Sequence, residues 1–133
     1  MDKLNKKYKP DGYNSVSPYF VVDGAQMLID QIKQVFDIKE LRRYDLPNGK
    51  IMHAELKIDD SVIMLGDSAE GHPPNKLTLH IYVPDVHATF KKAVNAGFHP
   101  VESPVQKPGD TDIRCLLKDF QGNFWALATQ QQE

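Results

Sequence analysis

Residues 75–83, NKLTLHIYV, decide how this chain reads, with Pro84-Asp85 directly behind them. Leu77, Leu79, Ile81 and Val83 fall on one face of a strand, and Lys76, Thr78, His80 and Tyr82 on the other. The first face is continuous hydrocarbon, suited to packing against a helix. The second offers a hydroxyl, an imidazole and a phenol, which suits the wall of a pocket. Asp85 then opens a helix whose apolar stripe is Val86, Phe90, Ala93 and Val94, with Gly97 as its stop.

Working outward, the same order occurs on both sides of that strand. Upstream, Ser15–Val22 reads as a strand, with Pro18 marking an edge or a bulge. Asp23 with Gln26 has capping-box spacing. Ala25, Leu28, Ile29, Ile32, Val35 and Phe36 recur at helical spacing. Strands are expected over 38–46, 50–58 and 61–65, with Pro47-Asn48-Gly49 as a hairpin turn. Downstream of the second helix, strands are expected over 99–103, 112–118 and 123–129, with a loop from Pro104 to Gly109. An offset of 62 carries Asp23 to Asp85, Phe36 to Phe98, Glu40 to Glu102 and Leu65 to Leu127. An offset of 61 carries Leu56-Lys57 to Leu117-Lys118. Each half is therefore strand, helix and three strands, and the chain is a duplication.

Composition narrows the function classes. The 133 residues fit one domain made of two half-modules. We place module one at about 14–67, a linker at 68–74 and module two at about 75–130. Sixteen basic and eighteen acidic residues give a net charge of −2, which leaves no general field for nucleic acid. Lys3, Lys6, Lys7 and Lys9 read as a solvated arm. The lone Cys115 cannot form an intrachain disulfide, and MDKLNKKYK lacks an apolar leader, so a cytoplasmic location is expected. No apolar run approaches the roughly 20 residues that cross a bilayer.

The duplicated pattern, with PYFVVDGA, HAELKIDDSVIMLGD and KDFQGNFWALAT, resembles the vicinal oxygen chelate superfamily. That group includes glyoxalase I, bleomycin-resistance proteins and extradiol dioxygenases, and the resemblance is to its PhnB-like branch. It implies an α+β fold: two βαβββ modules forming a curled, open-barrel mixed sheet with helices on the outer face. It also implies homodimers, a site in each concave sheet, and, in metal-using members, ligands from the first and last strands of each module.

Strand parity gives the expected lining. The helix-facing set is Tyr19 and Val21; Met52, Ala54 and Leu56; Ile63 and Leu65; Leu77, Leu79 and Ile81; Ile113, Cys115 and Leu117; Trp125 and Leu127. The cavity set includes Val16, Pro18, Phe20, His53, Glu55, Val62, Met64, Thr78, His80, Tyr82, Arg114, Leu116, Phe124 and Ala126. From these, His53, Glu55, Met64, Thr78, His80, Tyr82, Arg114 and Phe124 are the candidate binding residues. A small-molecule site has this mixture of apolar wall and a few polar groups.

The superfamily's ligand positions fall near Val16 or Pro18, Met64, Thr78 or His80, and Ala126. Only His80 among them is a ready ligand for a divalent metal, which wants three or four N, O or S donors. No cofactor is therefore expected. An off-pattern His53–Glu55–His80 metal site is the alternative. Glu55 as an ion-pair partner of Arg114 is the simpler reading of that carboxylate. His72, His87 and His99 read as surface groups, and Cys115 as a small inert hydrophobe.

The leading expectation is a small-molecule-binding, glyoxalase- or bleomycin-resistance-like protein with a degenerate metal site. Arg114 would orient an anionic or carbonyl group. The alternative is a metal-dependent lyase, isomerase or dioxygenase acting on a small oxygenated metabolite, with Glu55 as base. A third is a scaffold with no substrate. Whether the protein is an enzyme is left open by the residues. The expected partners are a small molecule and a second copy of the chain, with no nucleic acid and no membrane.

Overall fold

The structure is a computed structural model that describes residues 7–131. Lys3 and Lys6 of the basic arm lie outside the described residues, while Lys7 and Lys9 are exposed. The elements follow as β1 Tyr19–Val22, α1 Ala25–Val35, β2 Ile38–Asp45, β3 Ile51–Ile58 and β4 Ser61–Asp67. After the linker come β5 Thr78–Tyr82, α2 Val86–Asn95, β6 His99–Val105, β7 Asp112–Lys118 and β8 Phe124–Gln130. Two sheets result, ordered β1-β4-β3-β2 and β5-β8-β7-β6. In each, a three-stranded antiparallel meander accepts the module's first strand in parallel beside its last. This is the expected α+β duplication.

One continuous core holds the modules together. α1 buries Ala25, Leu28, Ile29, Ile32 and Val35, the stripe that its spacing predicts. Trp125 of β8 stacks on Phe20 of β1 at 5.5 Å, on Phe36 at 6.0 Å, and meets Phe98 edge-on at 5.7 Å. A module-two ring thus fills the space under module-one elements. Its indole N–H donates to Asp119 Oδ2 at 3.0 Å, which satisfies both buried groups.

Four expectations are corrected. β1 shows the opposite parity: Phe20 and Val22 are fully buried, whereas Tyr19 is exposed on the concave side. The run Tyr19-Phe20-Val21-Val22 contains no polar residue, so alternation cannot set its phase. Met52 is also exposed, and Ile51 takes the buried position. The β2–β3 register slips between Tyr44 and Asp45, and that irregularity swaps the faces at this end of β3. Asp23 does not cap α1. Gly24 is the N-cap at φ 98°, and Asp67 from β4 supplies the acceptor. Val94 lies on the exposed side of α2, which buries Val86 and Ala93. Asp85 caps that helix as expected, accepting from His87 and Ala88 N–H.

Strand ends also move. β1 and β5 are shorter than their apolar runs, and β6 continues to Val105 through the expected loop. Asn75, directly after the linker, exchanges backbone and side-chain hydrogen bonds with Tyr19 and Val21. Asn75 thereby covers part of the free edge of β1. Among the described residues, no helix is long and apolar enough to cross a membrane.

Candidate functional site

The concave face of module one is built by one row of the ladder. Tyr19 pairs with Met64, and Met64 with Glu55, so three side chains from β1, β4 and β3 stand side by side. His53 sits two residues before Glu55 on the same face. In module two the corresponding row is His80, Ala126 and Leu116. Tyr19 is therefore the counterpart of His80, a position that the sequence reading gave to Val16 or Pro18.

Glu55 is 4% exposed and fully engaged. Oε2 meets His53 Nε2 at 2.7 Å. Oε1 accepts the Tyr13 hydroxyl and, at 3.3 Å, the Arg42 N–H. Burial alone would push this carboxyl up. The Tyr13 and His53 hydrogen bonds and the Arg42 N–H outweigh burial and hold it below the usual carboxylate range. His53 Nδ1 lies 2.9 Å from the Tyr19 hydroxyl, and the rings of Tyr19 and Tyr44 flank the imidazole. Burial, and then the charge of Glu55, push the Tyr19 phenol above its ordinary value. The segment before β1 closes this end of the sheet. Tyr13 lies over Glu55, with the Arg42 guanidinium 5.5 Å from its ring, and Asn14 accepts the Val62 N–H.

Beside Tyr19 opens a cavity of about 450 Å³, lined among others by Val21, Leu46, Met52, Asp67 and His72. Among the described residues, no Lys or Arg lines it. Its carboxylate, Asp67, is spent on three backbone N–H groups: Gly24, Ala25 and Ile51.

Module two carries a separate cluster. Arg114 Nε meets Asp110 at 2.7 Å, Nη2 meets Asp112 at 3.0 Å, and Nη1 lies 2.8 Å from His80 Nε2. Tyr82 donates to Asp112 at 2.6 Å and meets the His80 ring edge-on. That bond to Asp112 comes first among the effects that raise the Tyr82 phenol. A cavity of about 490 Å³ adjoins Thr78, His80 and Tyr82 and is closed by Pro18, Asp59 and Asp60 of module one.

The expected Glu55–Arg114 ion pair is absent. Each group is partnered within its own module, because closer partners stand on the same face: His53 for Glu55, and Asp110 and Asp112 for Arg114. With two carboxylates on it, Arg114 is not a free anion receptor. His80 makes no hydrogen bond to His53 or Glu55. Phe124 is half-buried under the Lys118 ammonium. Met64 is half-buried between Tyr19 and Glu55. His72, His87 and His99 are exposed, as expected. Cys115 is buried, and burial pushes its thiol up to about 11.

The residues do not fit a metal in the superfamily's pattern. Ala126 has no donor, Met64 offers only a thioether, and Tyr19 is bound to His53. Among the described residues, no three His, Cys, Asp or Glu side chains are grouped to hold a metal ion. Sequence reasoning missed Tyr13, Tyr19, Asp110 and Asp112. The alternation Asp110-x-Asp112-x-Arg114 was a signal for the second cluster. Tyr13 sits in a turn-rich segment and gave none.

No family model matches the chain. An uncharacterized protein of Mycobacterium bovis, Mb0911c, is 38% identical over 130 residues, covering 90% of this chain and 85% of the relative. Among solved structures, a PhnB protein from Bacillus cereus superposes with a TM-score of 0.69 at 12% identity, over 87% of this chain and 99% of that one. Glyoxalase I from Zea mays superposes with a TM-score of 0.66 at 15% identity, over 86% of this chain and 43% of that one. At these identities the structural likeness is one of fold. The chain belongs to one family with the mycobacterial protein, and its fold is that of the vicinal oxygen chelate superfamily.

Proposed function

We propose that the protein binds a small neutral molecule on the concave face of module one and does so without a metal at the superfamily's positions. One observation carries this reading: a metabolite-sized cavity opens beside the hydrogen-bonded Tyr19–His53–Glu55 set. Its wall supplies apolar contact through Val21, Leu46 and Met52, and it includes Tyr19, whose hydroxyl is bound to His53. A thermal-shift screen of neutral metabolites tests the reading. A ligand that stabilises the wild type and not Met52→Lys supports it. If every metabolite treats the two proteins alike, it falls.

Elemental analysis of protein purified without chelators tests the metal half. Stoichiometric metal that disappears in His80→Ala would replace this reading with a metal-dependent lyase, isomerase or dioxygenase. We further propose a homodimer placed in the cytoplasm. Tyr44, Met52 and Tyr82 stand more than half exposed, apolar area that a second copy would cover. Light scattering that gives the 15.1 kDa of one chain at every concentration would overturn the dimer.

A further inference from the structure

The hydrogen bonds around His53 have one consistent direction. An ionised Glu55 has no proton to give, so the His53 Nε2 facing it carries the hydrogen. In the neutral ring Nδ1 is then an acceptor, and the group 2.9 Å away is the Tyr19 hydroxyl. Tyr19 therefore donates to His53, and its oxygen keeps its lone pairs for a ligand. Tyr13 and the Arg42 N–H hold the far end of the chain, both donating to Glu55. A carboxylate that fixes an imidazole tautomer, with the imidazole taking the proton of a hydroxyl, is the arrangement that activates a hydroxyl group.

We propose that Tyr19 is the catalytic residue of a proton-transfer site that acts on a hydroxyl group of a small, neutral, largely apolar substrate. This rests on the binding reading above and names the substrate class and the chemistry of that same site. His53 is the proton acceptor of the relay, and Glu55 is its positioning residue. A phenol that gives its own hydrogen to His53 can only accept from its ligand, so it selects a hydrogen-bond donor such as an O–H. The cavity wall sets the remainder: apolar side chains, the His72 imidazole, one carboxylate already satisfied and, among the described residues, no Lys or Arg to receive an anionic group.

The step balances within the site. The substrate O–H bond breaks, and its proton goes to the Tyr19 oxygen. The proton of Tyr19 goes to His53 Nδ1, and the imidazolium formed is paired with Glu55. The electron pair remains on the substrate oxygen, now a nucleophile. Because burial and Glu55 raise the Tyr19 phenol, it carries its proton near neutral pH. It can act as a base only by handing that proton on, which is the part His53 plays.

Two measurements on the ligand-free chain test the relay. Nitrogen-15 NMR of the His53 ring reads the tautomer: Nε2 protonated and Nδ1 bare in the wild type, reversed in Glu55→Gln, whose amide donates where the carboxylate accepted. Labelling with benzenesulfonyl fluoride, followed by peptide mass spectrometry, reads activation of the phenol. Tyr19 should label faster than the open Tyr8, and Glu55→Gln should slow it on the order of a hundredfold, the low end of what a positioned base contributes. In His53→Ala the rate should fall, and added imidazole should restore it, which a purely structural role would not allow. A protonated Nδ1 in the wild type, a Tyr19 rate no greater than that of Tyr8, or no imidazole rescue would each overturn the proposal. The metabolite screen reads binding and the labelling reads the relay, so failure of one is distinguishable from failure of the other.

Discussion

Asp67, the last residue of β4, caps the helix that begins at Ala25. Its Oδ1 accepts the Ala25 N–H at 2.9 Å and the Gly24 N–H at 3.1 Å, and its Oδ2 takes Ile51 N–H at 2.7 Å. One carboxylate thus ties helix α1, the start of β3 and the end of β4 at the rim of the cavity. Burial would raise its carboxyl, but those three N–H groups and Lys50 hold it low. The anion also faces the positive end of the helix. Asp67→Asn keeps one acceptor and loses the other, so it should cost about 2 kcal/mol near neutral pH, the scale of a hydrogen bond to a charged group. The sign with pH follows from the lowered value. The contribution is complete above the unfolded carboxyl value of about 4 and is lost as pH falls through the folded one. Urea titrations of both proteins should give a gap that closes below about pH 4.

Gly66 is set by close approach to Met52. A Cβ at Gly66 would lie 2.6 Å from the Met52 carbonyl oxygen, a backbone atom that cannot swing away. This is where the β3 irregularity turns Met52 outward. Gly66→Ala should cost about 1–3 kcal/mol, as overpacking does. A thermal melt that matches the wild type would show that the β3–β4 contact is looser than described.

Trp125 joins the modules, and it is the one tryptophan of the chain. Trp125→Phe removes ring volume between Phe20 and Phe98 and takes the indole donor from buried Asp119. The expected loss is about 2–4 kcal/mol, from a partly emptied core and a charged acceptor short of a donor. Since the indole sits between the halves, its fluorescence and far-ultraviolet dichroism should follow one denaturation curve. Separate transitions would mean that the modules unfold independently.

The duplication was legible because amphipathic segments and turn residues recur in order, and the phase of most strands was legible because one face must be hydrocarbon. Leu79 and Ile81 against His80 is such a case. β1 was not, since Phe20 and Tyr19 are both apolar enough for either side. That single ambiguity hid the candidate site's central residue, Tyr19. The polar partners were hidden for another reason. Sequence spacing places His53 and Glu55 on one face, and so does Arg114 with Asp112, but it cannot choose between a local partner and one across the sheets. Local geometry prevailed in both modules, because partners two residues apart on one strand need no further ordering to meet.

Cys115 supplies the last test. It lies on the helix side of β7 at 2% exposure, and burial pushes its thiol up to about 11. The reactive species is the thiolate. At pH 8 a thiol with that value is ionised to about one part in a thousand, against roughly a quarter for a free cysteine. The folded protein must also open before a reagent reaches the sulfur. Iodoacetamide at pH 8 should therefore leave the native protein unmodified on a timescale that alkylates it fully in denaturant. Gly66→Ala and Trp125→Phe should each speed alkylation about tenfold for every 1.4 kcal/mol of stability lost, as expected where modification follows the open fraction. Rapid native alkylation would place Cys115 at the surface and turn β7 over.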